Sequence, residues 1–366
     1  MRTRADQHET ANPSGLTPAQ VLEQLVHRAE AANASDIHLQ MRGSAAEVLF
    51  RLDGVMSAVE TLPEHVAERV FGRIKFLSNL KTYQESLPQD GRIDKAGLNA
   101  RSDIRVATYP TVTGEKIVLR LFSTFEARSL PDLEFPADTT AELQRILGQT
   151  AGLLLLTGPA GSGKTTTIYA CLRELAATGG RHIITVEDPV EQVIEGLMQT
   201  EVNEARGLDF AKASRHLLRQ DPQVLVIGEI RDEETATIAV RAALTGHLVI
   251  STLHAGSCKG VLERLLTMTN DASAVAASLE LILNQRLLRR ICLDCHGRGC
   301  AKCLSTGYRG RVAVIESLRI TDAGRKHIGR SELDGLRARP NLADQAARLV
   351  QSNVTNQAEV QRVLGS

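Results

Sequence analysis

Residues 152–170 read GLLLLTGPAGSGKTTTIYA, and this stretch decides the fold of the larger part of the chain. The apolar run before the glycines is typical of a fully buried strand, and the residues after them have the pattern of a helix. Between the two, residues 158–165 fit the pattern G-x-x-x-x-G-K-[ST] in full. A strand, a glycine-rich turn and a helix in this order predict a phosphate-binding loop (P-loop).

The P-loop contains the residue types that nucleotide binding requires. Its glycines let backbone N–H groups point at phosphate oxygens, and the helix start adds the positive end of its dipole. We expect Lys164 to reach the β- and γ-phosphates and Thr165 to offer a hydroxyl to Mg²⁺. A glycine-rich turn without a ligand is the alternative. The predicted nucleotide-binding residues are Gly158, Pro159, Ala160, Gly161, Ser162, Gly163, Lys164, Thr165 and Thr166.

Alternating buried strands and helices continue on both sides of the P-loop helix. AELQRILGQ, FAKASRHLLRQ and TATIAVRAAL predict helices, and RHIITVED, VLVIGE and HLVISTLH predict strands. Such alternation predicts an α/β domain with a parallel sheet and right-handed crossovers.

The residues before this region predict a second, smaller α/β domain. Apolar positions recur at helical spacing from Pro18, and SDIHLQM, EVLFRLDG, DIRVATYP and KIVLRLF alternate like strands. We predict a flexible tail over residues 1–16, the smaller domain over 17–122, a linker over 123–137 and the larger domain over 138–366.

Composition limits the classes of function. Among 366 residues, Lys plus Arg and Asp plus Glu both number 43, which is poorly suited to general nucleic-acid binding. There is no Trp, so aromatic platforms for single strands are scarce. We find neither an apolar run that could span a bilayer nor the apolar core of a signal peptide, and therefore expect a cytosolic protein.

Acidic side chains follow two of the predicted strands. Glu229 ends VLVIGE, where P-loop enzymes usually carry an Asp that holds Mg²⁺ through water. Glu187 and Glu191 follow IITV, and carboxylates at this edge of a parallel sheet lie near the nucleotide crevice. A solvated turn is the alternative for the second cluster. The chain lacks the Asn-Lys-x-Asp pattern for guanine, which favours ATP over GTP.

Four of the six cysteines lie within twelve residues, as C-x₂-C-x₄-C-x₂-C. In a reducing compartment this spacing favours a tetrahedral Zn²⁺ site over disulfide bonds. Reduced thiols are one alternative. Another is c-type haem attachment at Cys292-x-x-Cys295-His296, which requires export. The predicted zinc ligands are Cys292, Cys295, Cys300 and Cys303.

Taken in order, the motifs resemble those of the type II secretion and type IV pilus assembly ATPases, nearest to the GspE/PulE and PilB-like branch. The stretches TGPAGSGKTTTIYA, IITVEDPVE, LLRQDPQVLVIGEIRD and AVRAALTGHLVISTLHA carry the resemblance, and SDIHLQ, PQDGR, NQRLLRRIC and GYRGR extend it from about residue 17 to the end. It implies a RecA-like P-loop motor domain after a PAS-like α/β domain. It also implies a cytosolic homo-hexamer that hydrolyses ATP with Mg²⁺, works with an inner-membrane platform protein and binds no nucleic acid directly.

The same resemblance implies roles for individual residues. Glu229 is the first choice for the catalytic carboxylate and Glu187 the second, and His254, at the end of a histidine box from His247, senses the γ-phosphate. A plain hydrogen-bonding histidine is the alternative, and for the arginines it is surface salt bridges. The arginines that the resemblance places near the nucleotide, some across a subunit boundary, are Arg105, Arg120, Arg219 and Arg231.

The chain also departs from the family pattern. Only four residues separate the two cysteine pairs, where relatives carry several times more, and retraction ATPases generally lack the cluster. We expect the additional N-terminal domain of larger relatives to be missing. After His254 the chain reads Ala-Gly-Ser-Cys, where relatives commonly have Thr-Asn. Two other functions stay open, a nucleic-acid translocase on the same core and a nucleotide-binding regulator without turnover.

Overall fold

The computed structural model describes residues 16–121 and 128–365, and these form two compact units. The first unit contains the described residues up to 121 together with 291–310, and the second contains the remainder. Residues 291–310 thus group with the first unit, although their sequence position lies inside the predicted larger domain. Most of the predicted tail, the end of the predicted smaller domain and the start of the predicted linker lie outside the described residues.

The first unit is built on a six-stranded sheet with the order β3-β2-β1-β6-β5-β4, in which neighbouring strands are antiparallel. The predicted helix and the four predicted strands are present, joined by a further helix and two further strands. The elements are α1 (Pro18–Ala31), β1 (Asp36–Met41), β2 (Ala45–Leu52), β3 (Val55–Pro63), α2 (Glu64–Leu77), β4 (Gln89–Ile93), β5 (Ile104–Thr111) and β6 (Gly114–Leu121).

Local sequence explains how α1 begins and which face it buries. The Thr17 side chain accepts a hydrogen bond from the Gln20 N–H, and the Gln20 side chain accepts one from the Thr17 N–H. This capping box encloses Pro18, the first residue of the helix. The apolar residues at helical spacing are buried against one face of the sheet, as part of the unit's core. The other face of the sheet carries the alternate, more polar residues of each strand.

The second unit contains a seven-stranded sheet with the order β13-β12-β7-β11-β10-β8-β9. The pairs from β12 to β9 are parallel, which confirms the predicted α/β fold with a parallel sheet. Its elements are α3 (Ala137–Leu147), β7 (Gly152–Thr157), α4 (Lys164–Thr178), β8 (Ile183–Glu187), β9 (Met198–Glu201), α5 (Phe210–Leu217), β10 (Val224–Ile227), α6 (Glu233–Leu244), β11 (Leu248–Thr252), α7 (Cys258–Thr269), α8 (Ala272–Ser278), β12 (Leu279–Ile291), β13 (Tyr308–Arg319), α9 (Asp322–Gly329), α10 (Leu342–Gln351) and α11 (Gln357–Leu364).

The central strands of this sheet place the predicted site residues at one edge. Every residue of β7, β8, β10 and β11 is buried, so these strands are covered on both faces. Since they run parallel, the P-loop after β7 and the residues at the ends of β8, β10 and β11 share the carboxyl edge. Leu130, Leu133 and Phe135 from the predicted linker also lie in this unit's core.

Within the described residues, no helix combines the length and the apolar character that crossing a bilayer requires.

Candidate active site

The P-loop connects β7 to α4 through a run of backbone conformations that glycine adopts readily. Gly158 and Gly163 have φ values of +140° and +91°, and α4 begins at the next residue, Lys164. The Ser162 hydroxyl is buried and has no hydrogen-bond partner among the described residues. A buried donor without a partner, beside a helix N-terminus, suits a loop that closes around phosphate oxygens.

Gln285 on β12 packs under the P-loop and restricts it further. A Cβ atom at Gly158 would lie 2.4 Å from the Gln285 carbonyl oxygen, and one at Gly163 would lie 2.6 Å from Gln285 Nε2. The Gln285 side chain also accepts a 2.8 Å hydrogen bond from Thr167 Oγ1, which anchors it to α4. Sequence reasoning missed this residue, because a glutamine inside a strand has no signal of its own.

The Lys164 ammonium lies against the loop. Its Nζ donates hydrogen bonds to the carbonyl oxygens of Gly158 and Pro159, at 2.8 and 3.1 Å. Burial holds the pKa of Lys164 below its ordinary value, and the nearby charge of Glu229 opposes this effect. Within the described residues, the hydrogen bonds of this half-buried cation go to neutral carbonyls, which it can exchange for phosphate oxygens.

Glu229 follows β10 and is held between an arginine and a histidine. Its Oε2 lies 2.8 Å from Arg231 Nε, and its Oε1 lies 3.0 Å from His254 Nε2. The Ile230 N–H donates to the Thr252 carbonyl at 2.8 Å, which fixes this turn beside β11. Glu229 and His254 therefore approach each other because the strands that precede them, β10 and β11, are neighbours in the sheet.

Glu187, at the end of β8, has a different environment. It is 7% exposed and accepts hydrogen bonds from the hydroxyls of Thr185 and Tyr169 and from Gln199 Nε2. The Tyr169 oxygen in turn accepts hydrogen bonds from the N–H groups of Glu191 and Gln192. Both carboxylate oxygens of Glu187 are thus occupied, and the group ties α4 to the loop after β8.

Several of these side chains, among them Lys164, Glu187 and Glu229, line one cleft with a cavity volume of about 180 Å³. We call it the P-loop cleft. Predicted residues at its wall include Lys164, Thr165, Glu187, Glu229, Arg231 and His254.

The remaining predicted residues lie elsewhere. Arg219 is exposed on the 3-10 turn Leu218–Gln220 and is not among the residues at the cleft wall. His247 precedes β11, and its Nδ1 lies 2.9 Å from the Ala242 carbonyl, which places it at the end of α6. Since β11 separates His247 from His254, only His254 reaches the carboxyl edge. Arg105 and Arg120 belong to the first unit, on β5 and β6.

The four cysteines form the second predicted site, a loop over residues 292–303 that we call the four-cysteine loop. Their sulfur atoms all lie within 4.8 Å of one another, with individual Sγ–Sγ distances of 3.7, 3.8 and 3.9 Å. The edge of a tetrahedron with Zn–S bonds of about 2.3 Å is about 3.8 Å. The loop therefore fits the predicted tetrahedral zinc site, and His296 is exposed and outside the cluster.

Backbone donors favour the ionised form of one of these thiols, Cys303. Burial opposes ionisation of Cys303, but the N–H groups of Cys300 and Gly307 donate to its sulfur and lower its pKa to about 6. The loop is also fixed to the first unit. Leu304 packs against that unit's core, and the Gly310 N–H donates to Asp53 Oδ2 at 2.8 Å.

Comparison with known proteins agrees with this geometry. The family model "Type II/IV secretion system protein" matches residues 15–362. The chain belongs to this family. The predicted family is thus confirmed for nearly the whole chain, including the part that carries the P-loop cleft.

Two relatives illustrate how similar this chain is to other proteins. The "Protein transport protein HofB homolog" of Haemophilus influenzae is 38% identical over 348 residues, which cover 94% of this chain and 73% of the relative. The "Type II secretion system ATPase E" of Vibrio cholerae is 37% identical over 362 residues, covering 90% of this chain and 72% of the relative. The second name is that of an ATPase, which supports the predicted enzyme class, an ATP hydrolase.

A solved structure supports the fold of this family member. The pilus retraction motor PilT, solved with bound ADP, superimposes with a TM-score of 0.60 at 26% identity and covers 91% of this chain and 90% of its own. The retraction motor is thus related to this chain in fold.

Proposed function

We propose that this chain is the ATP-hydrolysing motor of a secretion or pilus-assembly system. One observation carries the proposal: the P-loop, the Glu229 carboxylate and the His254 imidazole line a single cleft at the carboxyl edge of a parallel sheet. The family to which the chain belongs, with relatives named ATPases of type II secretion, supports the same reaction.

ATP would be held in the P-loop cleft by residues 158–166. The backbone N–H groups would bind the phosphates, and Lys164 would replace its contacts to the Gly158 and Pro159 carbonyls with contacts to phosphate oxygens. The Thr165 hydroxyl would be a ligand of Mg²⁺. When bound, that ion neutralises charge on the β- and γ-phosphates.

Glu229 is our choice for the carboxylate that accepts the proton of the attacking water. Its two partners, Arg231 and His254, are about half exposed, so water can reach this part of the cleft. Glu187 is the second choice, because its oxygens already accept hydrogen bonds from buried side chains. We propose that His254, which is bound to Glu229, positions the γ-phosphate.

Four arginines complete the proposed site. Arg231 lies beside Glu229, and Arg219 belongs to the same unit. We propose that Arg105 and Arg120 of the first unit also act on the nucleotide, some of the four across a subunit boundary. An arginine that stabilises charge on the transferred phosphoryl group contributes about 10³–10⁵ in rate.

We further propose a hexameric ring that works on an inner-membrane platform protein, at the cytoplasmic face of that membrane. ATP binding would draw the domain over residues 17–122 onto the domain over 138–366, and hydrolysis would release it. The work then comes from the difference in ATP affinity between open and closed states. In the four-cysteine loop, the four thiolates would hold one structural Zn²⁺.

The experiment that tests this function compares activators of ATP turnover. We expect the cytoplasmic domain of the cognate platform protein, or vesicles of acidic lipid, to stimulate phosphate release several-fold. Double- or single-stranded DNA should have no effect. Stimulation by DNA alone would instead support a nucleic-acid translocase, and ATP binding without turnover under every condition would support a regulator.

A further inference from the structure

Residues 254–256, which we call the histidine segment, lie between β11 and α7 in neither a strand nor a helix. Their backbone carbonyl oxygens accept hydrogen bonds from side chains of other elements. Arg264 Nη1, on α7, donates to the His254 carbonyl at 3.0 Å. Thr157 Oγ1, on β7, donates to the Ala255 carbonyl at 3.0 Å. The position of the histidine segment therefore depends on side chains that lie outside it.

Thr157 ties the histidine segment to the P-loop. It is the last residue of β7 and is fully buried, and its hydroxyl also accepts a hydrogen bond from the Ala255 N–H at 2.9 Å. One hydroxyl therefore bonds both backbone groups of Ala255. Since the next residue, Gly158, begins the P-loop, Thr157 fixes both the start of the loop and the place of the segment.

Two side chains of β12 hold the other end of the segment. Asn284, the register partner of Thr157, donates to the Gly256 carbonyl through Nδ2 at 3.1 Å. Arg286 Nη2 donates to the same carbonyl at 3.0 Å, and Arg286 Nη1 donates to Asn284 Oδ1 at 2.5 Å. Because the two side chains also bond each other, they act on this carbonyl as a pair.

The helix that follows does not require these contacts. Ser257 is the N-cap of α7, and its hydroxyl accepts a hydrogen bond from the Gly260 N–H at 3.1 Å. The Cys258 N–H is bonded separately, to Glu316 Oε2 at 3.3 Å. Since α7 begins with its own cap, the hydrogen bonds to residues 254–256 constrain the histidine segment rather than the helix.

The direction of the His254 imidazole depends on this constraint. The side chain is 50% exposed, and its Nε2 lies 3.0 Å from Glu229 Oε1. A half-exposed ring is held less by packing than by the backbone that carries it. A misplacement of about 1 Å can lower the rate of an enzyme about 10²-fold. A loose histidine segment would therefore weaken the contact with Glu229 and displace the ring in the P-loop cleft.

We propose that four side chains are positioning residues for His254, and that one of them, Thr157, couples the histidine segment to the P-loop. The other three are Arg264, Asn284 and Arg286. The inference rests on the proposed function in one respect, namely that His254 acts on the γ-phosphate. It assigns no contact with ATP to any of the four side chains.

The first test removes the Thr157 hydroxyl and follows steady-state ATP hydrolysis. Thr157→Val keeps the shape of the side chain. We expect kcat to fall about 10–100-fold and KM for ATP to change less than about threefold, because the ring is displaced while the P-loop still binds. Thr157→Ser keeps the hydroxyl and should recover most of kcat. Equal losses in the Val and Ser variants overturn the proposal.

Ser251→Ala is the matched control for Thr157→Val. Ser251 is equally buried, and its hydroxyl donates to the Ile227 carbonyl at 2.6 Å instead of to the histidine segment. This variant should lose stability but keep its kcat within about twofold, since only a structural hydrogen bond is removed. A fall in kcat as large as that of Thr157→Val would mean that any buried hydroxyl matters equally, which overturns the proposal.

Arg264→Met keeps the proposal testable should Thr157→Val not fold, because Arg264 is exposed. Loss of one hydrogen bond to the segment should lower kcat about 3–10-fold. Arg330→Met, at an exposed arginine after α9, is its control and should keep the wild-type kcat. Wild-type kcat in Arg264→Met, or the same loss in both variants, overturns the role of Arg264.

The second test determines whether Thr157 acts through His254. In a His254→Ala background, adding Thr157→Val should change kcat by less than about twofold, since the group to be positioned is gone. A further loss as large as in the wild-type background would mean that Thr157 acts independently, which overturns the proposal. If His254→Ala itself keeps the wild-type kcat, the proposed role of His254 fails instead.

NMR of protein with ¹³C-labelled histidine gives a measurement that needs no turnover. The ring signal of His254, assigned from its loss in His254→Ala, should shift in Thr157→Val and Arg264→Met but not in Ser251→Ala. If the wild-type chain shows no ATP turnover, the proposed function fails. A His254 signal that stays in place in both clamp variants, Thr157→Val and Arg264→Met, overturns the positioning role itself.

Discussion

Replacing Glu229 by Gln is expected to separate catalysis from stability. Glu229 and its partner Arg231 are 20% and 48% exposed, and partly exposed ion pairs contribute only about 0.2–1 kcal/mol. The free energy of unfolding should therefore fall by less than about 1 kcal/mol. A general base contributes about 10²–10⁴-fold to rate, so kcat should fall by that factor. ATP binding should persist, since Lys164 and the loop are untouched.

Replacing Glu187 by Gln is expected to give the opposite result. The new amide N–H₂ would face hydroxyl and amide donors where a carboxylate accepted three hydrogen bonds. Each buried group left unpaired costs about 1–3 kcal/mol, so the free energy of unfolding should fall by about 2–4 kcal/mol. In the protein that remains folded, kcat should fall by less than about tenfold.

The assay combines urea denaturation with phosphate release at saturating Mg-ATP, and nucleotide binding is followed with a fluorescent ATP analogue. Glu195→Gln is the matched control, because Glu195 is exposed and is not at the cleft wall. If Glu187→Gln removes turnover with unchanged stability while Glu229→Gln stays active, the assignment of the two carboxylates is wrong.

Three further predictions concern the second unit and the four-cysteine loop. Glu359 is fully buried between Arg289 and Arg362. Burial raises the pKa of Glu359, but hydrogen bonds from the two arginines lower it by more, to about 2. Glu359→Gln should therefore lower the free energy of unfolding by about 3 kcal/mol at pH 7, as measured by urea denaturation. Since the folded pKa is depressed, this difference from wild type should shrink as pH falls from about 4.5 towards 2, and a constant difference contradicts the reasoning. Titration with a mercurial should release one zinc ion per chain from the four-cysteine loop. The Cys171→Ala variant is the control and should release the same amount, because Cys171 lies outside the cluster. Freshly purified protein that contains no zinc would refute the site. Gly163→Ala should lower stability by more than Gly180→Ala, because only at Gly163 would the added Cβ meet Gln285; equal losses would mean that the contact is irrelevant.

The sequence predicts those parts of the fold that depend on local pattern. The apolar run of β7, the glycines after it and the helical spacing of the apolar residues in α1 act over a few positions, and each is found as predicted. The edge strand β4 was missed because QDGRI has the composition of a turn. It buries a single residue, Ile93, and exists as a strand by pairing with β5.

Contacts between distant segments could not be predicted in the same way. Gln285 lies more than a hundred residues after the P-loop and is brought under it by the neighbouring positions of β12 and β7. Two hydrogen-bond partners of Glu187 likewise come from other elements, Tyr169 from α4 and Gln199 from β9. The burial of Glu187 could therefore not be predicted from the motif Glu-Asp-Pro-Val-Glu. Spacing predicted the cysteine cluster, but its attachment through Leu304 and Gly310 depends on the folded first unit.

Steady-state phosphate release by the wild-type chain and by Lys164→Ala, each with saturating Mg-ATP, tests the central claim most directly. The claim is that ATP is hydrolysed where Lys164 contacts the loop. Linear release by the wild type and a loss of about 10²-fold or more in the variant is the predicted result, since that ammonium binds the charge developing on the phosphates. Equal rates for the two proteins, or no release by either, would contradict it.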